Sequence, residues 1–225
     1  MPGSILTMIM MRISRRELVQ AQIALFVAIA LQLVVWKMNG ELLIGPQYVL
    51  IPSEFALAVL IGLFINNRKV LIYRINHAFV LVLLGLISAV NIGSLVLVLH
   101  SLIITHAAIS GPELLASAVV IFITNIIVYA LWYWEIDSPG LTRKRWSKND
   151  KDFQFPQQDM KQDFPGWHSE FLDYLYLSLT NAINFAPAEA KPLTHSAKLL
   201  MGSQAMVSVF TLALVIARSV NILGA

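Results

Sequence analysis

Five long apolar runs, separated by charged or polar stretches, organise this chain. They extend over residues 18–38, 48–65, 77–109, 113–134 and 198–223. Roughly 17–25 apolar residues allow a helix to cross the hydrocarbon core of a bilayer, so each run predicts a transmembrane helix. The third run is longer than one crossing needs, and a hairpin that turns at residues 91–94 is the alternative to one long helix.

A polar segment and a short apolar segment separate the fourth run from the fifth. Residues 135–169 contain many charges together with Pro and Gly, which predicts a water-exposed connector. Residues 170–185 carry an apolar portion of about 15 residues, which is shorter than a crossing requires. This length favours a re-entrant half-helix, and a short, tilted span is the alternative. The chain is thus divided into a transmembrane region (1–134), the connector and a C-terminal hairpin (170–225).

The composition is that of an integral membrane protein. Apolar residues make up 57% of the 225 positions and charged residues only 13%, whereas soluble domains have about 45–50% and about 25%. Cysteine is absent, which excludes disulfides and cysteine-based metal sites. We therefore expect an all-α membrane protein with four transmembrane helices, a re-entrant half-helix and a final transmembrane helix.

Basic residues between the apolar runs predict the orientation of the chain. They form three clusters, before the first run, after the second and after the fourth: Arg12, Arg15 and Arg16; Arg68, Lys69 and Arg74; Arg143, Lys144, Arg145 and Lys148. Cytoplasmic loops of membrane proteins carry an excess of Lys and Arg. The N-terminus and the connector are therefore predicted to be cytoplasmic, and only Lys37 falls in an outer loop.

The region around the short apolar stretch has the order of parts of a channel pore. Residues Tyr176 to Pro192 read YLSLTNAINFAPAEAKP, the same length as YFSVVTLTTVGYGDIVP, a typical potassium-channel pore helix and filter, and match it at Tyr176, Ser178 and Pro192. The following PLTHSAKLL resembles the PTTPLGRLL that leads into an inner helix, and ARSVNIL at residues 217–223 resembles inner-helix endings. The last quarter of the chain thus resembles the pore module of tetrameric potassium channels.

The whole chain resembles a family of bacterial membrane proteins with four leading spans and a degenerate pore-like hairpin. This resemblance implies a multi-pass protein of the bacterial inner membrane, with a preserved scaffold and altered filter chemistry. It does not name a substrate. A half-helix with an irregular, polar backbone cannot face lipid, which predicts a symmetric homo-oligomer in the bilayer. The resemblance to potassium channels implies a tetramer, with monovalent ions as candidate permeant species.

The filter positions are where this chain departs from potassium channels. In place of TTVGYGD it has Ile183, Asn184, Phe185, Ala186, Pro187, Ala188 and Glu189. Alanine resists the positive φ that glycine adopts readily, and proline fixes φ near about −65° and lacks an N–H. Because a potassium filter needs rings of backbone carbonyls aimed at the ion, we expect no potassium-selective filter.

Three polar residues carry most of the functional weight in this interpretation: Asn181, Asn184 and Glu189. Around a fourfold axis, Asn184 would form a ring of amides and Glu189 a ring of carboxylates, which favours cations. The alternative is that the two asparagines cap the short helix and that Glu189 is solvated. Arg218 is a candidate pore residue of the last helix, and snorkelling of its side chain at the helix end is the alternative.

Two functions remain open at this stage. The first is a channel-like protein that does not select potassium and weakly favours cations; the alternative is a non-conducting scaffold or accessory subunit with a channel-like fold. An enzyme is not expected, because the chain has no Gly-rich phosphate loop, H-E-x-x-H pattern or nucleophile elbow. Accordingly we predict no catalytic residue, cofactor, metal site or nucleic-acid partner.

Other polar and aromatic residues within the apolar runs have structural interpretations. Glu54 is interpreted as an interfacial carboxylate near a helix start, and a functional group within the membrane is the alternative. Asn91 and Asn125 are expected to form hydrogen bonds between helices. Residues 132–134, Trp-Tyr-Trp, suit an aromatic belt at the membrane interface.

Overall fold

The computed structural model describes residues 15–38, 45–64, 70–103, 111–137, 151–160, 162–185 and 190–223. In these ranges the chain forms helices α1 (Arg15–Met38), α2 (Gln47–Phe64), α3 (Val70–Ile103), α4 (Gly111–Asp137), α5 (Pro156–Asp159), α6 (Phe171–Asn184) and α7 (His195–Leu223). Strands β1 (Phe153–Gln154) and β2 (Lys191–Pro192) pair antiparallel in a two-residue ladder. The predicted all-α class is confirmed, apart from this small ladder, which the sequence pattern did not indicate.

Four of the described helices are long and apolar enough to cross a membrane. These are α1, α3, α4 and α7, whose candidate membrane segments have 23 to 26 residues. Helix α2 is also apolar, but its apolar segment, Gln47–Leu63, is shorter. Helix α3 continues through residues 91–94, so the alternative hairpin is wrong. Its 34 residues correspond to about 51 Å, more than the hydrocarbon core of about 30 Å requires.

Helix α4 occupies the centre of the described bundle. It contacts α1, α3, α6 and α7, whereas α2 packs on α1 and α3. In α4, 61% of an apolar 18-residue stretch is buried, against 33–44% of the corresponding stretches in the other three long helices. The largest hydrophobic cluster joins α1, α3 and α4 through residues such as Leu25, Leu84 and Leu131. Helix α4 therefore lies between the α1–α3 bundle and the C-terminal hairpin.

The carboxyl end of α4 is packed into an aromatic cluster. Tyr133 and Trp134 are fully buried, and their ring centroids lie 5.1 Å from that of Phe153 and 5.4 Å from that of Phe171, respectively. The prediction of an interfacial belt is therefore wrong for Tyr133 and Trp134. Phe153 and Phe155 are fully buried as well, so this part of the connector lies in the core rather than in water. Both corrections have one cause, because the connector and the start of α6 fold back onto α4 and supply its aromatic neighbours.

The amino end of α1 and the carboxyl end of α4 lie at the same end of the bundle. A carboxylate oxygen of Glu17 in α1 lies within 4.8 Å of ligand atoms of His168 and Glu170, which directly precede α6. Tyr174, in the first turn of α6, donates a 2.5 Å hydrogen bond to Asp137, the last residue of α4. This arrangement agrees with the prediction that the N-terminus and the connector share one side of the membrane.

Candidate functional site

A buried hydrogen-bond network joins α4, α6 and α7 around Gln204. The Tyr133 hydroxyl donates to Gln204 Oε1 at 2.5 Å, and Asn181 Nδ2 donates to the same oxygen at 2.8 Å. Gln204 Nε2 donates to the backbone oxygen of Ser178 at 3.0 Å and to its hydroxyl at 2.6 Å. All four side chains are buried. Amides and hydroxyls that satisfy one another in this way fix the position of α6 between its two neighbours.

The residue pattern of α6 explains how it comes to present this polar face. Its buried residues follow helical spacing: Phe171, Tyr174, Leu177, Ser178, Thr180, Asn181 and Ala182. The helix begins with a capping box, in which the backbone N–H of Glu170 donates to Asp173 at 2.7 Å. It ends at Phe185, which has the left-handed conformation with φ 54° and donates its backbone N–H to the Asn181 carbonyl at 3.1 Å. The buried face of α6 is thus mainly apolar in its first half, where it packs against aromatic rings of α4 and the connector, and polar in its second half, where it bonds to Gln204.

The network continues along α4 and α7 beyond the contact with α6. Tyr129 shares a 2.8 Å hydrogen bond with Ser203, and Asn125 Nδ2 donates to Ser208 Oγ at 3.0 Å. The expectation that Asn125 links two helices is therefore confirmed. Asn91 has a different environment, since it lines a small cavity together with Gln32 of α1.

Asp137 holds several segments together at the carboxyl end of α4. One carboxylate oxygen accepts hydrogen bonds from the backbone N–H groups of Asp152 (2.7 Å) and Phe153 (2.9 Å), and the other accepts from Tyr174. Leu193, just after β2, donates its N–H to the Asp152 carbonyl at 2.8 Å. The segments that precede and follow α6 are therefore anchored at the same end of α4.

The structure describes only part of the predicted filter. Asn181 is buried in the network and donates to Gln204 and to the Met201 carbonyl at 3.0 Å, so its amide links α6 to α7. Ile183, Asn184 and Phe185 are exposed at the carboxyl end of α6. Residues 186–189, which include Glu189, lie outside the described residues, and so does the side chain of Arg218. A ring of Asn184 or Glu189 around an axis stays a prediction.

Sequence reasoning missed Gln204 and the role of Tyr133. The available signal was the spacing of polar residues in the last apolar run. Gln204 and Ser208 are four positions apart, and Ser208 and Thr211 are three positions apart. All three side chains are fully buried. Polar residues that recur on one face of a membrane helix indicate contact with other helices rather than with lipid.

Glu54 differs from the expected interfacial carboxylate. It lies eight positions along α2 and is 0% exposed. The interpretation as an interfacial carboxylate near a helix start is therefore wrong, because Glu54 lies in the third turn of α2 and its side chain is enclosed by the protein.

One group of metal-ligand residue types meets in the described part of the chain. It contains Glu17, His168 and Glu170, whose ligand atoms lie within 4.8 Å of one another. The Glu170 side chain already accepts the backbone N–H of Asp173 in the capping box, and His168 is exposed. This group lies where the amino end of α1 meets the start of α6, and we assign no metal to it.

Comparisons of the chain with protein-family models, with curated proteins and with solved structures gave no match. Its function has to be inferred from the residues and from their geometry.

Proposed function

We propose that this protein is the subunit of an oligomeric membrane channel, in which α4, α6 and α7 form the pore module. The observation that carries this proposal is the position of α6. Its 14 residues correspond to about 21 Å, less than the hydrocarbon core of about 30 Å. Both of its flanks are anchored at the same end of α4. A helix of this length and placement suits a segment that enters the membrane and returns to the same side.

The hydrogen bonds support both halves of that path. Tyr174 near the start of α6 bonds to Asp137, and β2 after α6 pairs with β1, whose Phe153 N–H also bonds to Asp137. Between these anchors, Asn181 reaches Gln204. Gln204 lies nine residues after His195, which corresponds to a depth of about 14 Å along α7. The path thus descends to near mid-membrane depth and comes back.

The same geometry supports an even number of crossings before α6. The amino end of α1 and the carboxyl end of α4 lie at one end of the bundle, so the chain crosses an even number of times between them. Helices α1, α3 and α4 are each long enough for one crossing. An even total therefore requires α2 to cross as well, although its 18 residues correspond to only about 27 Å. This supports four leading spans.

The tip of α6 is the reason to propose an oligomer. Ile183, Asn184 and Phe185 are exposed in the single chain, and the helix leaves carbonyl groups without intrahelical partners at this end. Irregular backbone at membrane depth must be buried in protein or line water, because lipid offers no hydrogen bonds. Neighbouring copies that meet at the tip and along α7 would provide that cover, in a tetramer if the resemblance to potassium channels holds.

The proposed pore does not select potassium. The segment 183–189 has no glycine and contains Pro187, so the carbonyl rings of a potassium filter are not expected. Any preference follows charge instead, and we assign it to Glu189, the carboxylate of the filter-like segment. We expect similar permeability for sodium and potassium and a modest preference for cations over chloride.

Single-channel recording of the purified protein in planar bilayers tests this proposal. Reversal potentials in sodium, potassium and chloride gradients give the selectivity. Glu189→Gln should reduce the cation preference at low salt, whereas Glu113→Gln, at the amino end of α4, serves as the matched control and should leave it nearly unchanged. A strong preference for potassium over sodium, or a cation preference unaffected by Glu189→Gln, would contradict the proposed pore chemistry. Reconstituted oligomers that carry no current would favour the scaffold function.

A further inference from the structure

An open cleft lies at the end of the bundle where the connector meets α6. Its volume is about 620 Å³, which falls in the range of about 300–1,000 Å³ that small-molecule sites have. It is lined by residues 163–168 of the connector and by Glu170, Leu172 and Asp173 around the start of α6. Charged and apolar side chains thus border one space that is large enough for a ligand.

The charged side chains of the cleft are mainly acidic. The lining includes the carboxylates of Asp163, Glu170 and Asp173 and the imidazole of His168, and the described lining contains no Lys or Arg. Glu170 and Asp173 already accept backbone N–H groups in the capping box, but a carboxylate has about four acceptor positions. Asp163 is exposed and lies outside this box. The cleft therefore offers negative charge and hydrogen-bond acceptors to a cationic donor.

Aromatic side chains add a second feature that suits a cation. Phe164 and Trp167 line the cleft together with the carboxylates. A cation near the face of an aromatic ring is attracted by the ring quadrupole, most strongly for Trp. The Trp167 ring packs on buried Phe155 with a centroid distance of 5.6 Å, which fixes its position. Because a primary ammonium group also donates three hydrogen bonds, it fits this mixture of carboxylates and rings better than a quaternary one.

The cleft lies at the level where the bilayer surface is expected. A carboxylate oxygen of Glu17 is within 4.8 Å of ligand atoms of His168 and Glu170, and the candidate membrane segment of α1 begins at Arg16, one residue earlier. Arg16 is exposed at this end of α1 and supplies a positive charge for a phosphate group. An ammonium group next to a phosphate is the headgroup chemistry of an aminophospholipid.

An exposed apolar stripe on α6 begins at the cleft. It consists of Leu172, Tyr176 and Leu179, which are 51%, 52% and 38% exposed. Residues four and three positions apart lie on one face of a helix. Leu172 belongs both to the lining of the cleft and to the stripe. An acyl chain on the stripe would therefore be continuous with a headgroup in the cleft.

We propose that the cleft and the α6 stripe bind one phospholipid with an ethanolamine headgroup. The ammonium group lies among the carboxylates beside Trp167, the phosphate faces Arg16, and an acyl chain lies along the stripe. Charge complementarity favours this lipid over an anionic one, and the stripe favours it over a free amine. The site is at the start of α6, whereas the proposed pore concerns the tip of α6, so the two proposals are independent.

Native mass spectrometry of the full-length protein tests this site, after incubation in detergent with equal amounts of phosphatidylethanolamine, phosphatidylcholine and phosphatidylglycerol of identical acyl chains. We expect one retained lipid per chain, with phosphatidylethanolamine preferred over both others. Asp163→Asn should lower the preference over phosphatidylglycerol about two- to fivefold, as loss of one exposed charge pair does, and Asp163→Lys should abolish it. Asp159→Lys makes the same charge change at an exposed carboxylate outside the cleft, and should keep the preference.

A second pair of variants tests the stripe. Leu172→Ser should reduce retention of phosphatidylethanolamine, whereas Leu63→Ser, at a 70% exposed position of α2, should not. Because Asp163 and Leu172 are exposed, these variants leave the buried core unchanged. Soluble phosphoethanolamine at the lipid concentration should not displace the lipid. Equal retention of the three lipids, a preference that survives Asp163→Lys or is lost equally in Asp159→Lys, equal effects of the two serine variants, or displacement by phosphoethanolamine would overturn the proposal.

Discussion

Replacing Gln204 by leucine tests whether the polar network holds the C-terminal hairpin in place. Gln204 takes part in four hydrogen bonds, with Tyr133, with Asn181 and twice with Ser178. Hydrogen bonds between membrane helices contribute about 0.6 kcal/mol each on average. Leucine has a similar size, so packing is largely kept while all four bonds are lost. We expect the free energy of unfolding to fall by about 2 kcal/mol, which is about a 30-fold change in the unfolding equilibrium.

Unfolding in mixed detergent micelles by titration with sodium dodecyl sulfate, followed by tryptophan fluorescence, measures this change. Gln20→Leu is a matched control, because the Gln20 amide oxygen is buried without a partner among the described residues. It should change the stability by less than about 0.5 kcal/mol. Combining Gln204→Leu with Asn181→Leu should cost less than the two single losses together, since both remove the same hydrogen bond.

The reasoning is refuted if Gln204→Leu and Gln20→Leu have equal effects, or if the double variant is strictly additive. Either result would mean that the network is a consequence of packing and does not stabilise it. The position of α6 would then depend on the aromatic cluster at the end of α4.

Three further predictions concern orientation, assembly and the charge of the pore. Cysteines introduced as Ser4→Cys and Ser147→Cys should resist an impermeant thiol reagent in intact cells, while Gly40→Cys in the predicted outer loop should react; labelling of the first two would reverse the topology. Native mass spectrometry in mild detergents should give a homo-oligomer, most readily a tetramer, and a monomer in every detergent would contradict the argument from the α6 tip. The cation preference set by Glu189 should shrink as the screening length falls from about 10 Å at 0.1 M salt to about 3 Å at 1 M, and a salt-independent preference would exclude a surface charge as its cause.

Hydropathy was sufficient to predict which parts of the chain form long helices. The first predicted run ends at residue 38, where α1 ends, and the last ends at residue 223, where α7 ends. A short helix before the last long one was also recognisable, because its apolar stretch is too short for a span and its polar residues begin at Ser178. These properties depend on local sequence alone.

The environment of single side chains was not predictable in the same way. Tyr133 and Trp134 occur where an interfacial belt is common, and nothing next to them in sequence distinguishes that location from a core. Tyr133 and Trp134 are buried because Phe153 and Phe171 pack against them. These two phenylalanines come from segments about 20 and 37 residues further along the chain. Glu54 presents the same problem, because its burial depends on how neighbouring helices pack around α2. Such contacts arise from tertiary packing, which periodicity does not report.

Helix α4 connects the two polar regions of the molecule through adjacent residues. Thr124 lines the cavity beside Gln32, while Asn125 donates to Ser208 of α7. Consecutive residues of a helix point in directions about 100° apart, so α4 presents one polar side chain to each half of the bundle. A helix with polar groups on two sides cannot expose either side to lipid without cost, which explains why α4 is the most buried of the long helices. Because both side chains belong to one turn, a rotation of α4 that moved Thr124 would also move Asn125, and the position of this helix sets the geometry of both regions.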